Sequence, residues 1–286
     1  MESSASVTVP FVEQLAREAG ELVKQRFWER NKVVETKQLP QDLVTETDRA
    51  VETFLKEKIR AAFPSHSFLC EESSIPNQRL TDAPTWIIDP IDGTTNFVHT
   101  MPYTSISIGY AVKQEVLVGV VYAPILDEMF SAAKGKGARL NGSPISTSGC
   151  VDVSCALVSC GLNVKVIQQL NVPVLDEATR NAAVACKDAV LSNLLYCVHH
   201  CRDIRHLGST ALELCYVAAG RLDALQSLGP KEWDIAAALL IVREAGGCVI
   251  DLDGTELELH KGRILAGATE VLTRTFVDHL KYPNHP

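Results

Sequence analysis

An apolar run that ends in two carboxylates constrains this chain more than any other feature: Trp86-Ile-Ile-Asp-Pro-Ile-Asp-Gly-Thr-Thr-Asn-Phe-Val-His99. The run predicts a buried strand, and its end delivers Asp89 and Asp92 across a Pro90 that cannot extend a sheet ladder. Two acids converging on one point suit a hard divalent cation such as Mg²⁺, which takes a few carboxylates together with water and phosphate oxygens. Gly93, Thr94 and Thr95 add backbone approach without a Cβ, N–H donors and hydroxyls able to orient a water. The competing reading is a solvated Asp-Pro turn, since Asp, Pro and Gly are also ordinary turn residues.

Other segments present acids at element ends, where a fold can bring them to the same point. Ser67-Phe-Leu-Cys70 predicts a short strand ending in Glu71 and Glu72. Asp234 lies in the first turn of an apolar helix, Trp233 onward, closed by Gly246 and Gly247; its plainer role there is an N-terminal cap. Asp42-Leu-Val-Thr-Glu-Thr-Asp48 leads into a helix with Val51, Phe54, Leu55 and Ile59 at helical spacing, where Thr45, Thr47 or Asp48 can equally be caps.

These pieces, together with Gly208-Ser-Thr-Ala-Leu212 and Glu244-Ala-Gly-Gly247, occur in one order along most of the chain. In this arrangement the chain resembles the inositol monophosphatase family of Mg²⁺-dependent, lithium-sensitive phosphatases. The resemblance implies an α+β fold, a layered α-β-α-β-α sandwich, in a single domain over residues 1–286 that forms a homodimer. It implies two or three Mg²⁺ ions held by Glu71, Asp89, the carbonyl of Ile91, Asp92 and Asp234, with Asp89 bridging two. It makes Thr94, hydrogen-bonded to Asp48, the pair that orients the attacking water beside Glu71, and it matches Lys37 to a lysine near the site. Substrate contacts are expected from Ile91, Asp92, Gly93, Thr94, the turn Gly208-Ser209-Thr210, Ser227 and Asp234.

The physical sense stands without the family. A phosphate monoester carries roughly two negative charges at neutral pH, so bare acids would repel it and cations reverse that sign. Two cations about 3.5–4 Å apart can activate a water on one side of phosphorus and stabilise the leaving oxygen on the other, with no covalent intermediate. No cysteine is placed like a nucleophile in a phosphate-binding loop, since the one Cys-x5-Arg spacing, Cys215 to Arg221, falls on the apolar helix that Gly208-Ser209-Thr210 opens, and Asp89-Pro-Ile-Asp92 departs from the Asp-x-Asp of aspartyl-phosphate enzymes. A non-catalytic scaffold that binds metal or sugar phosphate is the reading from another class.

The expected reaction is hydrolysis of inositol monophosphate, with related sugar-phosphate, fructose 1,6-bisphosphate or phosphoadenosine-phosphate phosphatases as alternatives. Substrate choice is open at one position. Where the family places an acid before the Trp-Asp pair, this chain has Ser227, with Gln226 and Glu232 as possible substitutes. Lys231 adds a positive charge nearby, which suits either a second phosphate or plain solvent. Gly208-Ser209-Thr210 opens a helix whose N–H groups suit ligand oxygens; Ser209 can instead simply cap it, and Arg205 can brace the loop.

The 286 residues, 46% hydrophobic, allow a sizeable core, and a net charge of −8 argues against general nucleic-acid binding. Nine cysteines without a spaced framework predict reduced thiols. Cys197, His200, Cys201 and His206 form a metal-binding alternative to strand residues alternating between core and surface. No signal-peptide pattern and no run of about 18 apolar residues is visible, so the expectation is a cytoplasmic protein with no membrane or nucleic-acid partner. Helices are predicted at Phe11–Phe27, Leu175–Val190 and Glu270–Leu280. Strands are predicted at Ser105–Val112, Val116–Tyr122, Cys155–Cys160, Gly247–Asp253 and Arg263–Ala268, with hairpin turns in Lys134–Gly142.

Overall fold

Apolar positions spaced three and four apart, from Val12 through Leu15, Ala16, Ala19 and Val23 to Phe27, give the first helix one buried stripe, and Pro10 fits its first turn. The computed structural model describes residues 6–29, 32–36, 43–75 and 77–283. In chain order its elements are α1 (Val9–Phe27), β1 (Val34–Thr36), β2 (Leu43–Thr45), α2 (Glu46–Ala62), β3 (Ser67–Cys70), β4 (Thr85–Asp92), α3 (Thr94–Val98), β5 (Ser105–Val112), β6 (Glu115–Ala123), β7 (Glu128–Ala133), β8 (Ala138–Leu140) and β9 (Ser143–Ile145). The second half adds β10 (Leu157–Cys160), α4 (Val164–Gln168), α5 (Glu177–His200), β11 (Asp203–Arg205), α6 (Thr210–Ala218), β12 (Ala224–Leu228), α7 (Glu232–Glu244), β13 (Cys248–Ile250), β14 (Arg263–Gly267) and α8 (Glu270–Val277).

Strands β3 to β9 form one sheet in sequence order, antiparallel except for the parallel β3–β4 pair. A second sheet runs β11-β10-β12-β14-β13. Side-chain alternation along the strands builds the layers. Trp86 and Ile88 of β4 pack with α1 and α2, whereas Ile87 faces the opposite side with α6 and α7. The far side of α6 and α7 meets Leu225, Ile264 and Ala266 of the second sheet, whose other face is covered by α5 and α8. The layers therefore read α1/α2, first sheet, α6/α7, second sheet, α5/α8, which is the expected α-β-α-β-α sandwich. Strand β4 is buried from end to end because helices cover both of its faces.

One close approach fixes α7, and with it Asp234. Gly119 of β6 lies so near the helix that a Cβ there would stand 2.4 Å from the carbonyl oxygen of Ala237. Gly119→Ala should therefore push α7 off the sheet and cost about 1–3 kcal/mol. Urea unfolding checks this; an unchanged midpoint would show that the helix yields freely.

Several elements differ from the sequence reading. α5 runs ten residues beyond Val190, because its buried set continues through Asn193 and Cys197 at helical spacing; the polar Asn193 masks the pattern. Cys197–Cys201 is consequently the last turn and cap of a helix, not an alternating strand. Val153–Cys155 is a 3₁₀ turn ahead of β10, and β13 stops at Ile250. The β5–β6 hairpin turns at Lys113 and Gln114, both at positive φ (51° and 63°), which matches the right-handed twist of its strands.

Candidate metal and phosphate site

The proline that interrupts β4 also aims its acids. The register with β5 shifts between Asp89 and Asp92, so both side chains come to one side of a strand that would otherwise alternate them. Asp89, 1% exposed, accepts the N–H of Ile91 at 2.9 Å. Asp92 accepts the Ser209 hydroxyl at 2.6 Å and the Ala211 N–H at 2.7 Å, and its backbone carbonyl takes the Thr104 hydroxyl at 3.1 Å. Asp234 accepts the N–H of Lys231 at 2.7 Å across the start of α7, so it caps the helix while it faces the other acids. Ligand atoms of Asp89, Asp92 and Asp234 all lie within 4.8 Å of one another.

Glu71 follows β3, and its N–H bonds the carbonyl of Ile88 at 3.1 Å, which sets it beside the strand that carries Asp89. Its charge reaches Asp89, Asp92 and Asp234. Asp48 is fully buried in the first turn of α2, where Thr45 is the N-cap and both its N–H and hydroxyl bond Asp48. The Thr94 hydroxyl lies 3.3 Å from Asp48 Oδ1 and 3.2 Å from the Ile91 carbonyl oxygen. Gly93 adopts φ 90° to start α3, and a Cβ there would meet carbonyl oxygens of Gly208 and Tyr103 at 3.0 Å; the two glycine turns lie back to back.

The electrostatics of this cage are unfavourable without a cation. Burial raises the Asp89 carboxyl well above the usual carboxylate range, and Glu71, Asp92, Asp234 and Asp48 raise it further. Burial pushes Asp92 up to about 7 against the opposing bonds from Ser209 and Ala211. Asp234 rises to about 8 through burial, then Asp92 and Glu71. Asp48 rises to about 6, burial again outweighing the Thr45 bonds. Hard carboxylate oxygens that cannot all ionise together are a donor set fit for divalent metal.

Other expectations fall differently. Ser209 makes no side-chain cap on α6; Asp92 fills that role from outside by accepting the Ala211 N–H. Thr210 is half-buried as the first residue of that helix. Ser227 lies in β12 opposite Ile264 and is buried. Gln226 meets Asn193 of α5 at 3.4 Å, and Glu232 meets Arg79 at 3.7 Å. Arg205 pairs with Asp203 on its own strand and does not brace the loop. Among the described residues, Cys197, His200, Cys201 and His206 do not form a set of converging metal-ligand atoms. Lys37 and Asp42 lie outside the described residues.

The inositol monophosphatase family model matches residues 5–281. The chain belongs to the inositol monophosphatase family. It is therefore a phosphatase of a metal-dependent family, and the acid cage is a cluster able to bind metal. It is 42% identical over 258 residues to inositol monophosphatase 3 of Solanum lycopersicum, which covers 88% of this chain and 89% of that protein. It is 39% identical over 275 residues to inositol monophosphatase 2 of Homo sapiens, covering 95% and 90%. Among solved structures, the extragenic suppressor protein suhB of Bartonella henselae superposes with a TM-score of 0.82 at 31% identity, covering 95% of this chain and 97% of that one. The Thermotoga maritima IMPase superposes at 0.79 with 34% identity, covering 94% of each.

Two residues of this phosphatase escaped the sequence reading. Glu213 of α6, 2% exposed, accepts the N–H groups of Leu207 and Gly208, the latter at 3.3 Å. Asn96 donates to the carbonyls of Tyr103 at 2.7 Å and Leu207 at 2.6 Å. Together they hold the 207–209 turn against the α3 turn, and so place Ser209 on Asp92. The signal for Glu213 was a lone carboxylate in the otherwise apolar Thr210–Ala218 helix. Glu213→Ala should leave two N–H groups unpaired and lower stability by about 1–3 kcal/mol. Glu213→Gln, which still accepts, should restore most of it; equal stability of the two variants in urea unfolding would contradict this bracing role.

Proposed function

We propose that the chain hydrolyses inositol monophosphate to inositol and phosphate, dependent on Mg²⁺, sensitive to lithium and without a covalent enzyme intermediate. The observation that carries this reading is the convergence of the buried Asp89 and Asp92 with the half-buried Asp234, Glu71 beside them, in a cage that resists ionisation unless cations enter. Glu71, Asp89, the Ile91 carbonyl, Asp92 and Asp234 would hold two or three ions. Bound Mg²⁺ supplies neutralisation of the ester's charge, water activation and stabilisation of the leaving oxygen. Asp48, with its carboxyl near 6, is largely a carboxylate at neutral pH and can keep the Thr94 proton directed at itself. The Thr94 oxygen is then free to accept a hydrogen bond from the attacking water and so aim the water's lone pair at phosphorus. The first turn of α3 leaves backbone N–H groups for phosphate oxygens, and Ser209 and Thr210 border the polyol.

We also take residues 1–286 as one domain of a cytoplasmic homodimer that binds neither nucleic acid nor membrane. No helix among the described residues is long and apolar enough to cross a membrane. Light scattering should give about twice the 31.2 kDa chain mass. The deciding assay measures phosphate release from inositol monophosphates, fructose 1,6-bisphosphate and phosphoadenosine phosphate, with Mg²⁺ or with chelator. Release from inositol monophosphate that stops on chelation supports the proposal, whereas release from none by folded protein favours the scaffold.

The raised acids set a pH dependence. Each binds protons in the metal-free fold that the unfolded chain has lost, so stability of the metal-free protein should fall as pH rises from about 4, the ordinary carboxylate value, through 7 and 8 where Asp92 and Asp234 titrate. Mg²⁺ must displace those protons, so its affinity should rise over pH 6 to 8. Thermal unfolding and calorimetric titration at pH 5.5 and 8 check both; a pH-independent Mg²⁺ affinity would contradict the electrostatics of the cage.

A further inference from the structure

Two of the acids on α2 are buried, Asp48 at 0% and Glu52 at 4% exposure, whereas Glu46 and Glu57 of the same helix face solvent. The buried pair is spaced i and i+4, so it lies one turn apart on one face, in line with the buried Val51, Leu55 and Ile59. A carboxylate inside such an apolar stripe is costly unless its oxygens are bonded. Asp48 meets Thr94, and Glu52 meets the turn that follows β3.

The Oε2 of Glu52 accepts the N–H of Glu72 at 2.8 Å, and its Oε1 lies 3.5 Å from Lys56 Nζ. Lys56 in turn donates to the Ser73 hydroxyl at 2.6 Å, so α2 grips the turn at two successive residues. The turn is also closed on itself. The Ser74 N–H donates to the Cys70 carbonyl at 3.0 Å, and the Cys70 N–H donates to the Ser74 hydroxyl at 3.0 Å. Glu71 lies within it, with its own N–H held by Ile88 of β4 at 3.1 Å.

The peptide that Glu52 holds is the one that leaves Glu71. With one flanking peptide tied to β4 and the other to α2, both planar units around Glu71 are fixed, and its φ and ψ are fixed with them. The direction in which its side chain departs is then set. Because Asp48 bonds Thr94 from the same face of α2, this one helix also sets Thr94 and Glu71 relative to each other.

We propose that Glu52 is a positioning residue for Glu71: by holding the Glu71–Glu72 peptide on the helix that carries Asp48, it keeps the Glu71 carboxylate turned to the acid cage and in register with Thr94. The proposal rests on the metal-dependent phosphatase reading above and deepens it.

Two substitutions separate reach from charge. Glu52→Asp keeps the charge but draws the carboxylate one methylene back from Glu72, whereas Glu52→Gln keeps an oxygen at full reach and gives up the charge. Mg²⁺ is titrated calorimetrically into the metal-free full chain, and kcat and KM for inositol monophosphate are measured at saturating Mg²⁺. Loss of one buried hydrogen bond predicts about tenfold weaker Mg²⁺ binding in Glu52→Asp, with kcat lowered and KM unchanged, and values close to wild type in Glu52→Gln. Asn193→Ala removes a buried bond to the Lys281 backbone in the opposite outer layer of the sandwich, and should lower the urea midpoint without touching Mg²⁺ affinity.

The reverse pattern, a normal Glu52→Asp beside an impaired Glu52→Gln, would give Glu52 a role through its charge and overturn the proposal. Unchanged Mg²⁺ affinity in both variants would overturn it too, as would an equal loss of affinity in Asn193→Ala, which would reduce the effect to stability alone. Wild-type protein that binds Mg²⁺ but releases no phosphate defeats the phosphatase reading, while the titration still decides the role of Glu52.

Discussion

Asp89→Asn should lose metal binding and turnover together. Asp89 is buried and faces four other acids, so its carboxylate is the one whose charge is shared most widely within the cage. An amide keeps the shape but removes a full negative charge and one hard oxygen, a loss of about 4 kcal/mol of charge stabilisation and so about a thousandfold in kcat/KM. The metal-free variant should at the same time become more stable at pH 8 than the metal-free wild type, because one buried member of a mutually repelling set is gone. Thermal unfolding in chelator and in Mg²⁺ separates the two effects: Mg²⁺ should raise the Tm of the wild type and leave that of the variant almost unmoved. Wild-type turnover in Asp89→Asn would remove this residue from the metal site.

Thr94→Ala should act on kcat with little effect on KM. Its hydroxyl is held between Asp48 and the Ile91 carbonyl, and what it can give is the direction of a water rather than the binding of an ester. Loss of the group that positions the attacking water for proton transfer predicts a fall of about 10²–10⁴-fold in kcat. Thr94→Ser keeps the hydroxyl and should recover most of the rate, and Asp48→Asn, which weakens the acceptor, should fall on the same side as Thr94→Ala. A Thr94→Ala enzyme that changed only in KM would turn the residue into a binding group, since equal loss from ground and transition states leaves kcat alone.

The parts of this site that sequence showed were those carried by local rules. Asp89 and Asp92 follow an apolar run across a proline, Glu71 ends a short strand, and Asp234 occupies a cap position; each lies where an element stops and its side chain is free to turn inward. The parts it hid depend on long-range packing. That Asp92 caps α6 joins residues more than a hundred positions apart, and no spacing pattern marks it. Glu213 reads as one acid in an apolar helix until the 207–209 turn is seen folded over it. The layer order came from the family resemblance; periodicity supplied helices and strands, but not the burial of α6 and α7 between two sheets. Where periodicity failed, in α5, a buried Asn193 that binds the Lys281 backbone had broken the apolar repeat without breaking the helix.

The central claim, that acids from three distant segments make one cation cage, is tested most directly by anomalous diffraction from crystals soaked in Mn²⁺ as a stand-in for Mg²⁺. The account predicts anomalous peaks enclosed by Asp89, Asp92 and Asp234, with Glu71 at their edge, and their disappearance in Asp89→Asn. Manganese bound elsewhere on the chain, with these carboxylates left without density between them, would contradict it.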